Sequence, residues 1–270
     1  MEEQILVKYP RTPHIEGSRL QAGDEDLSQV PFQTIQNKYL VVEEKVDGAN
    51  TAISFSPEGT LLLQNRGHYL TGGYRERHYA LLKQWATVQQ ECLYRALGSR
   101  YIMYGEWLYA KHTVYYDALP HYFLEFDILD RTTGRYLDTP SRHQLLRSTP
   151  VCSVPVLKSG VFQQQEDLLK LLGTSHYITE QHLLHLKEDS EQLGLDAKRQ
   201  IKETDPSDKM EGLYIKVEEN GTVIDRMKFV RASFLQTVDA SATHWLERPI
   251  IPNRLSVPMT SLFEVYHEES

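Results

Sequence analysis

Glu211-Gly-Leu-Tyr-Ile-Lys216-Val-Glu-Glu-Asn220-Gly221-Thr-Val-Ile-Asp-Arg226-Met-Lys228-Phe-Val230 reads as two strands joined by an Asn-Gly turn. Asn-Gly accepts positive φ at both central positions and is the strongest short-range hairpin signal. A two-residue turn sets Glu219 opposite Thr222; counting back, Ile215 faces Arg226 and Leu213 faces Lys228. Opposite residues share a sheet face, and so do residues two apart. The count therefore predicts Glu211, Arg226 and Lys228 on one face and Lys216 on the other. One carboxylate and two cations meet there, the charge set a metal-bound triphosphate needs. By itself the same set also reads as a charge ladder on a solvated face.

Outward from this hairpin, Tyr39–Glu44 reads as a strand. Thr51–Ser56 and Leu61–Gln64 read as a hairpin around Pro57-Glu-Gly-Thr60, and Arg100–Leu108 and His121–Leu129 as two aromatic-rich strands. Residues 75–97 predict one long helix, with Leu81, Trp85, Val88, Cys92 and Ala96 on one stripe and Gly98 as its stop. Cys92 then belongs to the core. Residues 140–205 read as mostly helical, in four segments: 141–147, 165–172, 179–193 and 195–203. The opening Tyr9–Arg19 stretch, with two prolines and a glycine, reads as ordered but irregular. The class is α+β, with antiparallel sheets and flanking helices. The expected division is a catalytic domain over 1–235 and a short extension over 236–270 packed on it.

The 270 residues are 40% hydrophobic and 24% charged, enough for a substantial core. No window approaches the ~18 apolar residues of a membrane span. The acidic start lacks a secretory signal, and Cys92 and Cys152 form no CxxC pair, so a reducing cytoplasm is the expected address. A net charge of -8 argues against a generic nucleic-acid coat. A local basic patch exists at Arg66, Arg75, Arg77 and Lys83.

Lys45-Val-Asp47-Gly48 places a lysine at the end of an apolar strand before a tight turn. Alone it reads either as a solvated surface lysine or as a nucleophile on a rigid strand end. A free lysine, with a pKa of ~10.4, is almost wholly protonated at pH 7, and burial or nearby cations favour loss of the proton. Matching parts follow in order: Asn65-Arg66-Gly67; Tyr104-Gly105-Glu106-Trp107, with a carboxylate inside an apolar strand; and Tyr122-Phe-Leu-Glu125-Phe126-Asp127-Ile128. Asp127, odd in such a strand, either orients a site residue or caps a turn. His182 and His185, three apart on a predicted helix and near His176, read as a polar helix face rather than a metal site. Tyr109–Tyr116 reads equally as a base-stacking surface or as core.

Taken together, Lys45–Gly48, Arg66-Gly67, Gly105-Glu106, Phe126–Ile128, Glu211–Lys216 and Arg226–Lys228 resemble the ordered motifs of the covalent nucleotidyltransferases, the superfamily of ATP-dependent ligases and capping enzymes. The sequence is most similar to the bacteriophage T4 RNA ligase 2-like group and its bacterial stand-alone relatives. The resemblance implies an ATP-grasp-like adenylation domain and an ATP-dependent RNA ligase that joins 5′-phosphate and 3′-OH ends through lysyl-AMP. The alternatives are a DNA nick-sealing ligase and a non-catalytic nucleotide-binding module. It implies that Lys45 attacks the α-phosphate, Glu44 contacts the adenine, Phe126 stacks on it, and Gly48 belongs to the nucleotide-binding set. Arg66 would bind ribose or a 5′-phosphate, Glu106 the ribose or a metal, and Glu211 a Mg²⁺ or Mn²⁺. Lys228, with Arg226 in place of a commoner lysine, would grip the α-phosphate. Asp47 stands where T4-like ligases often carry histidine and DNA ligases aspartate. About 40 residues follow Arg231, too few for an OB-fold. Arg75, Arg77 and His78 are therefore the expected RNA phosphate contacts, with Arg19 as a further candidate.

Overall fold

The computed structural model describes residues 5–20, 29–240 and 248–266. The strands are β1 (His14–Ile15), β2 (Gln29–Val30), β3 (Tyr39–Lys45), β4 (Ala49–Phe55), β5 (Leu61–Asn65), β6 (Tyr101–Trp107), β7 (Phe123–Asp130), β8 (Arg135–Leu137), β9 (Cys152–Ser153), β10 (Val156–Val161), β11 (Gly212–Glu219) and β12 (Thr222–Val230). The helices are α1 (Ala80–Val88), α2 (Gln90–Leu97), α3 (Thr139–Leu146), α4 (Gln165–Leu169), α5 (His182–Gln192), α6 (Ala197–Lys202) and α7 (Ala232–Ala240). The strands form one mainly antiparallel sheet in the order β10-β3-β11-β12-β8-β7-β6-β4-β5, with β1, β2 and β9 added at its margins. The α+β class is as the sequence predicts.

The Asn-Gly turn forms, with φ of 50° at Asn220 and 81° at Gly221. The register beyond it differs from the count. Glu219 pairs Thr222 and Glu218 pairs Val223, but Val217 pairs Asp225, so Ile224 is an extra residue in a β-bulge. Lys216 therefore faces Arg226 and Tyr214 faces Lys228. Lys216 lies on the face of Arg226 and Lys228, not on the opposite one. Hydrophobic pairing is the reason. The bulge brings Leu213, Ile215 and Val217 level with Met227 and Phe229, and all five join Leu40 and Val42 of β3 in one core. The unbulged register would have set those apolar residues against the cations.

A second core lies under α1 and α2, where Leu82, Trp85, Leu93 and Leu97 pack on Ile53, Phe55, Met103 and Phe123. Cys92 is buried among them, as expected. The predicted continuous helix over 75–97 is broken. Tyr74–Tyr79 is a 3₁₀ helix, and Gln89 (φ -92°, ψ 8°) separates α1 from α2. The buried Gln89 side chain instead donates to the carbonyls of Leu262 and Glu264. Four helices arise within 140–205 as predicted, but so does β10, which pairs with β3. Residues 248–266 pack on the rest: buried Asn253 donates to the Leu108 carbonyl and accepts from the Tyr116 amide. Among the described residues no helix is long and apolar enough to cross a membrane.

Candidate active site

β3 pairs with β10 and β11, whereas β4 pairs with β5 and β6, so the chain crosses between two arms of the sheet at Val46–Gly48. Close packing dictates glycine at that crossing. A Cβ on Gly48 would lie 2.7 Å from the Trp107 carbonyl and 2.6 Å from Leu108 Cδ2. Asp47 holds the turn: its carboxylate accepts from the Thr113 and Val114 amides at 2.7 and 2.8 Å, and its own amide donates to the Tyr116 hydroxyl at 2.7 Å. Tyr115 and Tyr116 are fully buried, so this tyrosine-rich stretch is core.

Lys45 ends β3 opposite Gly212 of β11. A cleft of about 1220 Å³ opens there, lined by Lys45, Gly48, Arg66, Glu106, Phe126, Glu211 and Lys228 among others. The structure thus gathers residues from six sequence motifs. The Lys45 ammonium donates to Glu211 at 2.7 Å. Burial acts to lower the Lys45 pKa, but the Glu211 and Glu106 carboxylates outweigh it and hold it above the ordinary lysine value. This reverses the expectation that the surroundings favour a neutral amine: acids encircle it, and the ammonium is its resting form. Burial also pushes the Glu106 carboxyl up to about 8; Lys45 opposes the rise, and Glu211 and Asp47 add to it. Glu211 is raised as well, chiefly by burial, with Lys45 and Lys228 pulling it back.

The remaining candidates divide. Arg66 is exposed at the cleft wall, beside a turn in which Asn65 Oδ1 accepts from the Gly67 and His68 amides, each at 2.9 Å. Phe126 is the extra residue of a bulge in β7, because Tyr104 pairs Asp127 while Gly105 pairs Glu125. The bulge frees the Phe126 carbonyl, which accepts from Lys216. Glu44 lines the cleft, yet its carboxylate is held by Ser175 Oγ at 2.5 Å and by His176 Nδ1 at 2.7 Å. Arg226 is not among the cleft-lining residues. Its guanidinium lies 3.5 Å from Asp127 and 4.0 Å from the Tyr136 ring centroid. Of the two cations expected at the α-phosphate, Lys228 lines the cleft and Arg226 belongs to the layer behind it. Arg77 and His78 line the cleft; the Arg75 side chain is outside the described residues, and Arg19 is exposed away from the cleft.

Sequence reasoning did not foresee that layer. Arg142 of α3 donates to Glu43 at 2.5 Å and to Glu125 at 2.7 Å, all fully buried. Lys216 lies 2.9 Å from Glu43 and 3.3 Å from Asp127. Tyr9, from the irregular opening stretch, donates to Asp127. Asp127 therefore orients neighbours, the first of its two readings. Of the histidines, His185 Nδ1 pairs with Asp117 at 2.8 Å and His182 Nδ1 with the Thr179 carbonyl, as a polar face would.

Among the described residues no three metal-ligating side chains form a preset cage. Mg²⁺ needs none, because it keeps several waters and takes one or two carboxylates plus phosphate oxygens. Glu211, buried, and Glu106, half-buried beside it, both with carboxyls raised by desolvation, fit that role.

A family model described as RNA ligase matches residues 38–230. Three solved structures of a Naegleria gruberi RNA ligase share the fold. An alanine mutant without ligand is 13% identical with a TM-score of 0.54, covering 88% of this chain and 59% of that one. A mutant with ATP and Mn is 14% identical (TM-score 0.52, 87% and 59%). The form with pyrophosphate is 14% identical (0.52, 88% and 60%). The chain thus spans about three fifths of the length of these relatives. No curated protein matches the sequence.

Proposed function

This chain belongs to the RNA ligase family, and from that premise we propose that it is an ATP-dependent RNA ligase working through Lys45. One observation carries the reading: a strand-end lysine 2.7 Å from a buried glutamate, with a second glutamate beside it, in a cleft wide enough for a nucleotide and a strand end. The cleft exceeds the roughly 300–1,000 Å³ of an ordinary small-molecule pocket.

Lys45 must first lose its proton, and the acids that hold it are the groups a metal would take. A divalent ion on Glu211 and Glu106 would supply charge neutralisation for the triphosphate. With those carboxylates engaged, burial would act on Lys45 against Asp47 only, and the balance would move toward the neutral amine. Lys45 Nζ then bonds to the α-phosphorus of ATP while the α–β bridging P–O bond breaks, and pyrophosphate leaves. Lys228, close to Glu211, faces the phosphates. In the next step a 5′-phosphate oxygen of RNA displaces Lys45 from the AMP phosphorus. Finally a 3′-OH attacks the activated 5′-phosphate and AMP departs. Positioning and charge neutralisation supply most of the catalysis. Phe126 stacks on the adenine and Arg66 meets the ribose or the 5′-phosphate.

The test is incubation with α-labelled ATP and Mg²⁺ or Mn²⁺, followed by denaturation. Label is expected on the parent protein and absent with Lys45→Ala; equal labelling of both would end the assignment. Nicks with RNA or DNA on the 3′-OH side decide the polymer. Sealing of RNA-bearing nicks is expected, and equal sealing of all-DNA nicks would replace RNA by a mixed specificity.

A further inference from the structure

In the lining of the cleft, which Arg66 and Arg77 share, stands an aromatic ring that the ligase reading leaves without a task. Tyr74 is 79% exposed and lines the cleft. An exposed tyrosine on this scale leaves most of its ring in water. Its setting is built. Gly72 and Gly73 precede it with φ of 123° and 115°, values that L side chains rarely adopt, and nothing lies within 4 Å of a Cβ at either. The buried Glu76 carboxylate ties the loop down, accepting from the Thr71 and Gly72 amides at 3.2 and 2.8 Å and from Lys83 at 2.5 Å. On the other side Arg77 donates to the Tyr74 hydroxyl at 2.6 Å, with its guanidinium carbon 4.8 Å from the ring centroid. A braced loop thus holds one ring out of the fold, against Arg77 and in the lining of the same cleft as Arg66.

We propose that Tyr74 is a stacking platform for a base of the RNA strand entering the cleft, an inference that rests on the RNA ligase reading. Any base has a π face, so such a platform binds a strand end without reading its sequence. Arg66 and Arg77 supply local positive charge to this cleft in a chain of net charge -8. The ring then fixes the strand that the arginines attract.

The probe is a short 5′-phosphorylated oligoribonucleotide with a fluorescent 3′ end, titrated with the full chain at fixed salt. Tyr74→Ala is expected to weaken binding about tenfold. Tyr74→Trp should keep the parent affinity and lose indole emission as the strand binds. The same strand made abasic near its 5′ end should bind the parent as weakly as the ordinary strand binds Tyr74→Ala, and the two losses should not add. Thermal unfolding checks that Tyr74→Ala is folded, as a side chain in solvent predicts. If Tyr74→Ala binds both strands as the parent does, or if Tyr74→Trp emission is unmoved by the strand, the platform is refuted. Failure of the ligase reading would show elsewhere, as a parent protein that takes no label from ATP.

Discussion

Glu106→Gln should make the protein more stable and less active, and the gain should depend on pH. The Glu106 carboxyl rises from its ordinary 4.5 to about 8 in the fold, first through burial, with Glu211 and Asp47 adding to it. Between those values the folded state holds a proton that the unfolded state has released. The stability this gives is present in full below about 4.5, declines as pH rises, and is gone above about 8. At 1.36 kcal/mol per tenfold change in proton affinity, the full span is about 5 kcal/mol. Water in the open cleft screens part of it, so about 2 kcal/mol is expected in practice. Glutamine has nearly the same shape and no charge to bury. Thermal unfolding of parent and variant at pH 5 and pH 8.5 checks this. At pH 8.5 the variant should melt roughly 4–8 °C higher, and at pH 5 the two should nearly coincide. ATP labelling of Lys45 should fall about 100-fold, because the carboxylate the nucleotide site uses is gone. A variant no more stable than the parent at pH 8.5, or equally ahead at both pH values, would refute the claim that a strained carboxylate is kept there for use.

Three further outcomes are expected. Glu211→Gln should speed acetylation of Lys45 by acetic anhydride at pH 9 in ligand-free protein, because Glu211 is the foremost group raising its pKa; an unchanged rate would mean that Glu211 does not hold the proton. Arg142→Met leaves Glu43 and Glu125 buried without their guanidinium and should cost about 3 kcal/mol or more in urea unfolding, partly recovered by adding Glu125→Gln; a loss under ~1 kcal/mol contradicts the buried pairing. Gly48→Ala drives a Cβ against the Trp107 carbonyl and should cost about 1–3 kcal/mol together with most of the labelling; a fully active, fully stable variant would show that the turn yields.

Much of this fold is legible from short-range patterns, and the failures have identifiable causes. Asn220-Gly221 marks its hairpin because two positive φ angles admit few residue types. The bulge at Ile224 was legible too, though not by counting from the turn: only a one-residue slip brings Leu213 and Ile215 onto the face of Met227 and Phe229. Breakage of the 75–97 helix was not legible, because it depends on Gln89 reaching carbonyls more than 170 residues away. β10 escaped because Val156–Val161 is largely exposed and lacks the apolar run of a buried strand. Within the site, Lys45, Arg66, Glu106, Phe126, Glu211 and Lys228 follow from motif order. Arg142 does not, since a cation in an amphipathic segment reads as a surface residue until its burial is seen, and Lys216, though it closes a motif, is set on the wrong face by the count from the turn.

The charged layer behind the cleft explains why those two residues matter. Glu43, Glu125 and Asp127 meet Arg142, Lys216 and Arg226, three acids and three bases with Arg226 alone above zero exposure. Buried ion pairs seldom stabilise a fold more than well-packed apolar groups would, so net stability is a weak reason for these five. Position is a better one. Glu43 lies two residues before Lys45, Asp127 directly after Phe126, and Arg226 two residues before Lys228. Each strand that brings a cleft residue is thereby fixed to its neighbours one or two residues away, by contacts that fail if the register slips. Apolar contacts tolerate small sliding; a carboxylate shared by two cations does not. The Lys216 contact with the bulged Phe126 carbonyl shows the coupling directly, joining the strand of Glu211 to the ring proposed to hold the adenine. Near Lys45 three acids, Glu211, Glu106 and Asp47, gather with Lys228 as the second cation, whereas behind the cleft three acids meet three bases. That excess of acid beside Lys45 is the arrangement expected where a divalent cation is to be bound.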